Sequence, residues 1–517
     1  MNIRHVLHLI VVLASAFGAT GLVARASPSP PARPRAPSAD LCPPLDPPSG
    51  PTVTVSTEAD LRDQAHNAAP GTTILVAAGT YDLQDALWVV NDGIAIRGAT
   101  GDRDDVVLDG GGMLATGRYH VIAIGADDVT VADLTIRNGD EHGISVQGSD
   151  RPTLYNLHIV DTGYQLVKVN PVGDGSEDGL LACSRLEYTT TSPEDYTNGI
   201  SAHDAHDWTV RDNEWYRIRT PGNEPVPTIL FWSGSSGTVV ERNLLVDCYQ
   251  GISFGNYSHG PGDHTGGIVR NNFIYASQPH DVVIEMVHAT GWLVAHNTAL
   301  LLDPAAGLTW GMEARCGDTT GDFAYNLTNM SVLTNREGAH GTSTGDITTA
   351  QSSWFEDASN ADLHLRSSAT TAIDHAATLA DVSDDFDGDA RPIGSAPDVG
   401  ADEYDFPPPA RASGFRVSRA VTDSTTLTAT LIWTSPAEAV TATLRYSGAF
   451  IDEDNWASAT LLTDTLPGST ETFTATVPYG GGSIYFGHRS QDTLGQWSAP
   501  ANAFWPASHV YLPLVSR

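Results

Sequence analysis

Four side chains that can take part in chemistry lie on short apolar strands in the middle of the chain. Lys168 and Asn170 belong to LVKVN, His203 to GISAH and Trp232 to TILFW. Lys168 is the only lysine, because 26 of the 27 basic residues are arginine. A desolvated amine is a general base, a charged amine binds carboxylates, an imidazole moves protons, and an indole offers a flat apolar surface. A solvated lysine without a role is the alternative interpretation.

The strands that carry these residues belong to a repeat. One frame recurs eight times, and its shared position is occupied by Leu134, Leu157, Ser184, Asn213, Asn243, Asn272, Asn297 and Asn326. The gaps between these positions are 23, 27, 29, 30, 29, 25 and 29 residues. Asparagine tolerates left-handed backbone geometry, and its amide can bond an identical amide one coil away. Coils of about 27 residues built from strands and turns predict a parallel β-helix solenoid.

The repeat also predicts which side chains share a face. Ile144, Ile200 and Ile284 each precede a repeat position by 13 residues, so they should point into the core together. Pattern matching adds Val167, Ile229 and Ile252. Because side chains alternate along a strand, the outward neighbours form two columns. The first column is Ser145, Lys168, Ser201, Leu230, Ser253 and Glu285, and the second is Gln147, Asn170, His203, Trp232, Gly255 and Val287.

Composition limits the partners of this chain of 517 residues. Hydrophobic residues make up 41%, which supports a sizeable core, and the net charge is −35. Such an acidic surface repels phosphate backbones and anionic lipid, so binding to nucleic acid or to a membrane surface is not expected. No segment after the N-terminal one has the length and apolarity of a membrane span, so membrane insertion of the mature chain is not expected either.

The N-terminus has the pattern of an export signal. A basic start, an apolar run to about Ala24 and a small-x-small site at Ala24-Arg25-Ala26 predict a signal peptide over 1–26, with an uncleaved anchor as the alternative. Residues 27–50 are rich in proline and serine and predict an extended linker that packs against nothing. Export permits disulfides, but four cysteines allow three pairings and their spacing does not choose among them. They are Cys42, Cys183, Cys248 and Cys316.

Several segments together resemble a known family. After a strand at Val53–Val55, a helix at Glu58–Asn67 and a strand at Thr73–Val76 come IRGATGDRDDVVLDGGG, the asparagine repeat and DDFDGDARPIGSAPDVGADEY. This chain is similar here to the right-handed parallel β-helix proteins of the pectate-lyase-like superfamily, over 51–405. The resemblance implies the fold. It does not fix the activity, because the superfamily contains lyases, hydrolases, epimerases and adhesins.

The C-terminal part has a different pattern. A proline-rich linker at 406–411 precedes strands with period-2 alternation, with Trp433 and Tyr446 at positions expected for core aromatics. Residues 412–506 resemble a fibronectin type III module, a small β-sandwich. The tail 507–517 is either a last strand or a sorting signal. The predicted fold class is therefore all-β, a solenoid followed by a small sandwich, and capped solenoid ends favour a monomer.

The columns and their flanking loops suggest a reaction on a uronate polysaccharide. A lyase needs a group that neutralises the carboxylate, a base for the proton α to it, an acid for the leaving oxygen, and aromatic rings for the sugars. We assign Lys168 as the base, or as carboxylate ligand with Asn170, and His203 or a loop tyrosine as the acid. The loop tyrosines are Tyr164 and Tyr196. Trp232, Glu285 and the loop carboxylates Asp174 and Asp178 are assigned to substrate binding.

The match to calcium-dependent lyases of this fold is incomplete. No arginine stands beside Lys168 in the two columns, and Glu285 is the only carboxylate in its column. A glycoside hydrolase needs two carboxylates about 5–10 Å apart. Asp174, Asp178, Asp204 and Glu285 could supply such a pair, although nothing in their spacing selects one.

Two segments resemble metal sites. Asp385, Asp387 and Asp389 alternate as in a calcium loop, although the glycine and glutamate of an EF-hand are misplaced. These three are the candidate Ca²⁺ ligands. The segment HDAHD at 203–207 has metal-binding residue types, but its side chains should point in different directions along a strand.

The sequence therefore favours a secreted or cell-surface, carbohydrate-active enzyme, with a polysaccharide lyase preferred. Its partner would be a polysaccharide or another glycan. A non-catalytic surface protein that binds glycan or partners, and a glycoside hydrolase, are the alternatives.

Overall fold

The computed structural model describes residues 41–114, 116–224, 226–302, 310–405, 409–423, 425–437, 439–492 and 496–506. The predicted signal peptide, residues 27–40 of the linker and the tail 507–517 lie outside them. Within these ranges, no helix combines the length and the apolar character needed to cross a bilayer.

Residues 52–344 form a parallel β-solenoid, which confirms the predicted fold class. One face is a sheet of ten parallel strands, here called the front sheet. Its strands are Leu87–Val89, His120–Ile124, His142–Gln147, Val167–Asn170, Ile200–His203, Pro227–Trp232, Gln250–Phe254, Val282–Val287, Trp310–Arg315 and Val332–Arg336. Leucine, isoleucine, valine and phenylalanine side chains from every coil point inward and form one continuous core.

The remaining solenoid strands form three further parallel ladders. The first contains Thr52–Val55, Thr73–Val76, Ala95–Gly98, Thr130–Gly139, Thr153–Thr162, Leu180–Ala182, Thr209–Arg211, Val239–Glu241, Ile268–Arg270, Ala289–Ala295, Thr320–Ala324 and His340–Thr344. The second contains Gly79–Asp82, Val106–Asp109, Arg185–Glu187, Glu214–Tyr216, Leu244–Val246, Phe273–Ala276, Thr298–Leu301 and Leu327–Thr328, and the two ten-residue strands belong to both. A short ladder at the turn contains Ser176–Glu177, Ala205–His206, Ser235–Ser236 and His264–Thr265.

The asparagine repeat is a buried ladder of amides, as predicted. Each Nδ2 donates to the Oδ1 of the next asparagine, for example from Asn243 to Asn272 at 3.0 Å and from Asn272 to Asn297 at 2.9 Å. The last amide, Asn326, donates to Asp346 Oδ1 at 2.8 Å. A carboxylate ends the series because it accepts hydrogen bonds and, when ionised, donates none.

The left-handed backbone lies one residue earlier than we expected. The residue before every repeat position has a positive φ of about 48–60°, and these residues are Asp133, Asn156, Cys183, Asp212, Arg242, Asn271, His296 and Tyr325. The ladder asparagines are therefore selected for their amide hydrogen bonds rather than for their backbone geometry. Arginine, histidine and tyrosine occupy the strained position in three coils, so neighbouring contacts must hold it.

The N-terminal end is closed by the predicted helix Glu58–Asn67. Thr57 caps it by accepting the backbone N–H of Asp60, while Leu61 and Ala65 are buried against the first coil. The preceding segment packs more closely than the linker prediction allowed. Cys42 forms a disulfide with Cys183, and this pairing was left open by the sequence. The linker prediction is therefore wrong for residues 41–50.

The closing segment lies along the flank of the solenoid. A hairpin of Phe355–Asp357 and Asp362–Leu365, with 3₁₀ turns at Ser352–Trp354 and Ala358–Asn360, packs there with residues 381–404. Phe386 stacks on Phe273 with ring centroids 3.9 Å apart. Arg391 and Glu403 form an ion pair with both side chains buried, which holds the segment in one conformation.

The C-terminal part contains two antiparallel sheets. The three-stranded sheet contains Ser413–Thr422, Thr426–Thr434 and Thr472–Pro478, and the four-stranded sheet contains Thr441–Ser447, Thr460–Pro467, Ile484–Gln491 and Ala501–Trp505. A 3₁₀ turn spans Trp456–Ser458. Trp433 lies in the hydrophobic core of these sheets, as expected, and Tyr446 is half-buried against that core. The arrangement is compatible with a β-sandwich, and the likeness to a fibronectin type III module stays a prediction.

Candidate active site

The front sheet carries the predicted columns in the predicted register. The inward line is Ile144, Val167, Ile200, Ile229, Ile252 and Ile284. The first outward column is Ser145, Lys168, Ser201, Leu230, Ser253 and Glu285. In the second column, Asn170 pairs with Gln147, and His203 pairs with Trp232. Lys168, Asn170, His203 and Trp232 therefore lie on three successive coils of one face.

Lys168 is buried at the centre of this face, with 6% of its surface exposed. Its Nζ donates a hydrogen bond to Ser201 Oγ at 3.2 Å and lies 2.7 Å from Nε2 of His203. The ring of Tyr196 lies 5.6 Å from the amine. Among the described residues, no carboxylate forms an ion pair with Lys168. These contacts favour a neutral amine, since a buried charge is normally paired.

Burial has a large effect on the protonation of this pair. Desolvation lowers the pKa of Lys168 to about 7. Desolvation, together with Lys168 and His259, lowers the pKa of His203 to about 4. The short distance between the two nitrogens has the same consequence, because two cations at hydrogen-bond distance repel each other. Near neutral pH the imidazole is therefore uncharged, and the amine gains or loses its proton.

Aromatic rings continue the surface beyond His203. The His203 and Trp232 rings lie edge to face with centroids 4.4 Å apart, and the His259 ring lies 4.3 Å from the Trp232 ring. Asp263 lies beneath His259 at 3.0 Å from Nδ1 and accepts the backbone N–H of Asn256 at 2.7 Å. The buried carboxylate therefore fixes the loop 256–267 above the indole. We call Lys168, Tyr196, Ser201, His203, Trp232 and His259 the Lys168 cluster.

Asn170 lies beside the cluster in a polar network. Its Nδ2 donates to Ser145 Oγ at 3.3 Å, and Gln147 Nε2 donates to the same oxygen at 2.6 Å. This network orients the Asn170 amide on the coil before His203, where an amide can bind a carboxylate or a hydroxyl group.

A second group of charges lies toward the C-terminal end of the front sheet. Glu285 accepts a hydrogen bond from Arg315 at 3.1 Å and lines a cavity of about 290 Å³ with Gln250 and Tyr257. Burial raises the pKa of Glu285 well above its usual range, although Arg315 opposes the shift. The neighbouring residue in the column is Glu313. The expectation that Glu285 is the only carboxylate in its column is therefore wrong.

Glu313 was missed because the columns assigned from the sequence end at the strand that carries Glu285. The inward residue of the Glu313 strand is Met312, which precedes Asn326 by 14 residues instead of 13. One inserted residue reverses which side chains point outward. Comparison of WGMEAR with VVIEMV, the kind of pattern matching that placed Ile229 at the same 14-residue spacing, would have put Glu313 in the outward column.

The other predicted site residues lie at different distances from the cluster. Tyr164 packs beside His142, with ring centroids 6.2 Å apart, and lines a separate cavity with Glu141 and Glu194. Tyr196, the other loop tyrosine, is the one that contacts Lys168. Asp174 and Asp178 are exposed at the turn that follows the Lys168 strand. The described contacts of Lys168 and His203 include neither of these aspartates.

The proposed calcium ligands do not form one centre in the described part of the chain. Asp385 Oδ1 accepts the backbone N–H groups of Asp387 and Asp389 at 3.0 and 2.8 Å, so this carboxyl closes the turn. Asp389 is exposed, and Asp387 faces His364 instead. In the segment HDAHD, His203 lies on the front sheet and belongs to the Lys168 cluster. His206 lies on the next short strand, where its Nε2 is 3.2 Å from Oδ1 of Asp204.

Comparisons with known proteins found likenesses among solved structures. No family model and no curated protein match the chain. An alginate lyase from Paenibacillus sp. strain FPU-7 is 20% identical, with a TM-score of 0.42 over 57% of this chain and 99% of that one. The pectate lyase Pel9A is 14% identical, with a TM-score of 0.45 over 66% and 90%. The polysaccharide lyase family 6 protein Pedsa3628 from Pseudopedobacter saltans is 12% identical, with a TM-score of 0.29 over 61% and 96%. The parallel β-helix that the sequence resemblance implies is present in the strand pairing of this chain.

Proposed function

We propose that this chain is a carbohydrate-active enzyme that cleaves a uronate-containing polysaccharide by β-elimination at the Lys168 cluster. The observation that carries the proposal is the amine of Lys168, whose side chain lies on the outer face of the front sheet and is nevertheless buried. Among the described residues this amine has no carboxylate partner, and its pKa is about 7. A base with a pKa near the working pH is the most effective, because enough of it is unprotonated and it still accepts a proton readily.

The neighbours of Lys168 fit the other steps. The neutral amine takes the proton from the carbon α to the uronate carboxylate, the bond to the leaving oxygen breaks, and a carbon–carbon double bond forms. Tyr196 is our preferred proton donor to the leaving oxygen, because burial raises the pKa of its hydroxyl and keeps it protonated. His203 orients the amine, Asn170 binds the carboxylate, and the rings of Trp232 and His259 stack on neighbouring sugars.

The test is a substrate screen with two readouts. The purified chain is incubated with alginate, polygalacturonate and a neutral glucan, and absorbance near 235 nm is followed beside reducing ends. We expect absorbance with a uronate polymer, and its loss in Lys168→Ala and Tyr196→Phe. Arg151→Ala is the control, because it removes an exposed cation paired with Asp128 on another face. Absorbance that survives in Lys168→Ala would contradict the assignment of the base.

A glycoside hydrolase is the second candidate, and Glu285 is the observation that favours it. Its buried carboxyl with a raised pKa resembles a general acid, and Glu313 lies on the adjacent coil. Reducing ends without absorbance, abolished by Glu285→Gln, would select this function. Binding of glycan without either product, dependent on Trp232, would select a non-catalytic binding protein.

We also propose that the protein is exported, which the disulfide between Cys42 and Cys183 supports. Mass spectrometry of the secreted chain should give an N-terminus at residue 27. An intact N-terminus on a membrane-bound chain would favour the anchor instead. We also propose that the fibronectin type III-like part is a spacer, which a truncation at residue 405 can test. We propose further that the protein is a monomer, which size-exclusion chromatography can test.

A further inference from the structure

A cluster of metal-ligating side chains lies on the solenoid flank, away from the Lys168 cluster. It contains His364 on the strand Asp362–Leu365, and Asp387 and Asp402 from the closing segment. One ligand atom from each residue lies within 4.8 Å of the others. The cluster therefore joins the hairpin to a stretch of chain that follows it by more than twenty residues.

The orientation of His364 is the observation that points to a ligand. The side chain of Asp362 hydrogen-bonds Nδ1 and directs Nε2 toward the carboxylates. Nε2 is buried and has no hydrogen bond of acceptable geometry, although Asp387 Oδ2 lies 2.9 Å away. A carboxylate on one ring nitrogen with the other nitrogen directed at a cation is the usual arrangement of a metal-bound histidine.

The carboxylates are also positioned for coordination. Asp402 is buried, and its Oδ2 accepts the backbone N–H of Leu365 at 2.6 Å, which fixes its carboxyl beside the imidazole. Ligand atoms about 2.0–2.1 Å from a small divalent ion are roughly 3 Å apart, close to the separation of His364 Nε2 and Asp387 Oδ2. A cavity of about 320 Å³ borders the three residues and Tyr404, and it has room for water ligands.

We propose that His364, Asp387 and Asp402 bind a divalent first-row transition metal ion such as Zn²⁺. The imidazole ligand disfavours Ca²⁺, which takes oxygen ligands. Because the ion would connect the hairpin to the segment that carries Phe386, it would stabilise the packing of that ring on Phe273. The site is separate from catalysis and does not depend on the proposed function.

The test is a Zn²⁺ titration of the purified chain after treatment with a chelator. Isothermal titration calorimetry should detect one site that is weakened at least about 10-fold in His364→Gln and in Asp387→Asn. Asp389→Asn is the matched control, because this exposed aspartate lies in the same loop and should leave Zn²⁺ binding unchanged. Zn²⁺ should also raise the Tm of the original chain and not that of Asp387→Asn.

Three results would overturn the proposal. Without a metal, the same carboxylates would enclose a protonated His364, and the titration would then show no site. Equal Zn²⁺ affinity in the original chain and in Asp387→Asn would place the ion on other histidines. Displacement of Zn²⁺ by an equal concentration of Ca²⁺ would indicate an oxygen-ligand site. Asp387→Asn keeps the size and shape of the side chain and changes its charge and one ligand atom, so it decides the question even if His364→Gln fails to fold.

Discussion

Replacing Lys168 with methionine should stabilise the chain while it abolishes the proposed activity. Methionine keeps the length of the buried side chain and removes the amine, whose burial lowers its pKa from the ordinary value of 10.5 to about 7. Below pH 7 the amine is charged in both the folded and the unfolded chain, so the folded state bears the full cost of desolvation. Above pH 10.5 the amine is neutral in both states and the cost disappears. Folding stability therefore increases with pH between these values.

The size of the effect follows from the two pKa values. At about 1.4 kcal/mol for each pKa unit, desolvation costs about 4–5 kcal/mol below pH 7 and about 2 kcal/mol at pH 9. The advantage of Lys168→Met should therefore shrink by about 2–3 kcal/mol between pH 6 and pH 9. Urea unfolding followed by tryptophan fluorescence measures it, because Trp208, Trp215 and Trp292 are buried in the solenoid.

Lys168→Arg is the matched control, because a guanidinium stays charged at both pH values. Relative to the original chain it should lose stability as the pH rises from 6 to 9. The activity of the original chain should increase about tenfold per pH unit below pH 7 and level off above it. A Lys168→Met chain whose advantage is equal at pH 6 and pH 9, or that is less stable at pH 6, would refute the desolvated amine and with it the assigned base.

Three further predictions concern the rings, the disulfide and the amide ladder. Trp232→Ala should raise KM about 5-fold and change kcat less, since stacking on an aromatic ring is worth about 1 kcal/mol, and steady-state kinetics will show whether kcat falls instead. Cys42→Ser should cost about 3–5 kcal/mol of unfolding free energy, because its bond to Cys183 closes a long loop; reductant should lower the Tm of the original chain and leave the variant unchanged. Asn272→Ala should cost about 2–4 kcal/mol in urea, because it removes the acceptor of the buried backbone N–H of Asn243 and one acceptor of its Nδ2, and a loss below about 0.5 kcal/mol would contradict a structural ladder.

The parts of the site that follow the repeat were predictable from the sequence. Pattern matching to the strands with a fixed spacing to the repeat places Lys168 beside Ser201, and His203 beside Trp232, because neighbouring coils of a solenoid pair in register. Backbone hydrogen bonding then fixes the face that each side chain occupies. The alternation of side chains along each strand and one recognised inward position in each coil were enough to assign these side chains to a face.

The parts that depend on loops and on long-range contacts were not predictable. Tyr196 lies in a loop without periodicity, so its contact with Lys168 had no local signal. Cys42 reaches Cys183 across a sequence separation of 141 residues. The alternating aspartates near 385 resembled a calcium loop, yet Asp385 bonds to backbone N–H groups and Asp387 turns toward His364. Such choices depend on what the segment packs against, which spacing does not contain.

Charge limits how this face can hold an anionic polymer. The chain has a net charge of −35, so its surface repels a polyuronate at long range. Among the described residues of the front sheet, Arg315 is paired with Glu285 and Glu337, and Arg336 with Glu313. Lys168 works as a base only while it is neutral. Under the proposed function, binding would therefore rest on stacking and on neutral donors such as Asn170. The buried amine would then act as a base without a permanent cation that holds the anionic product.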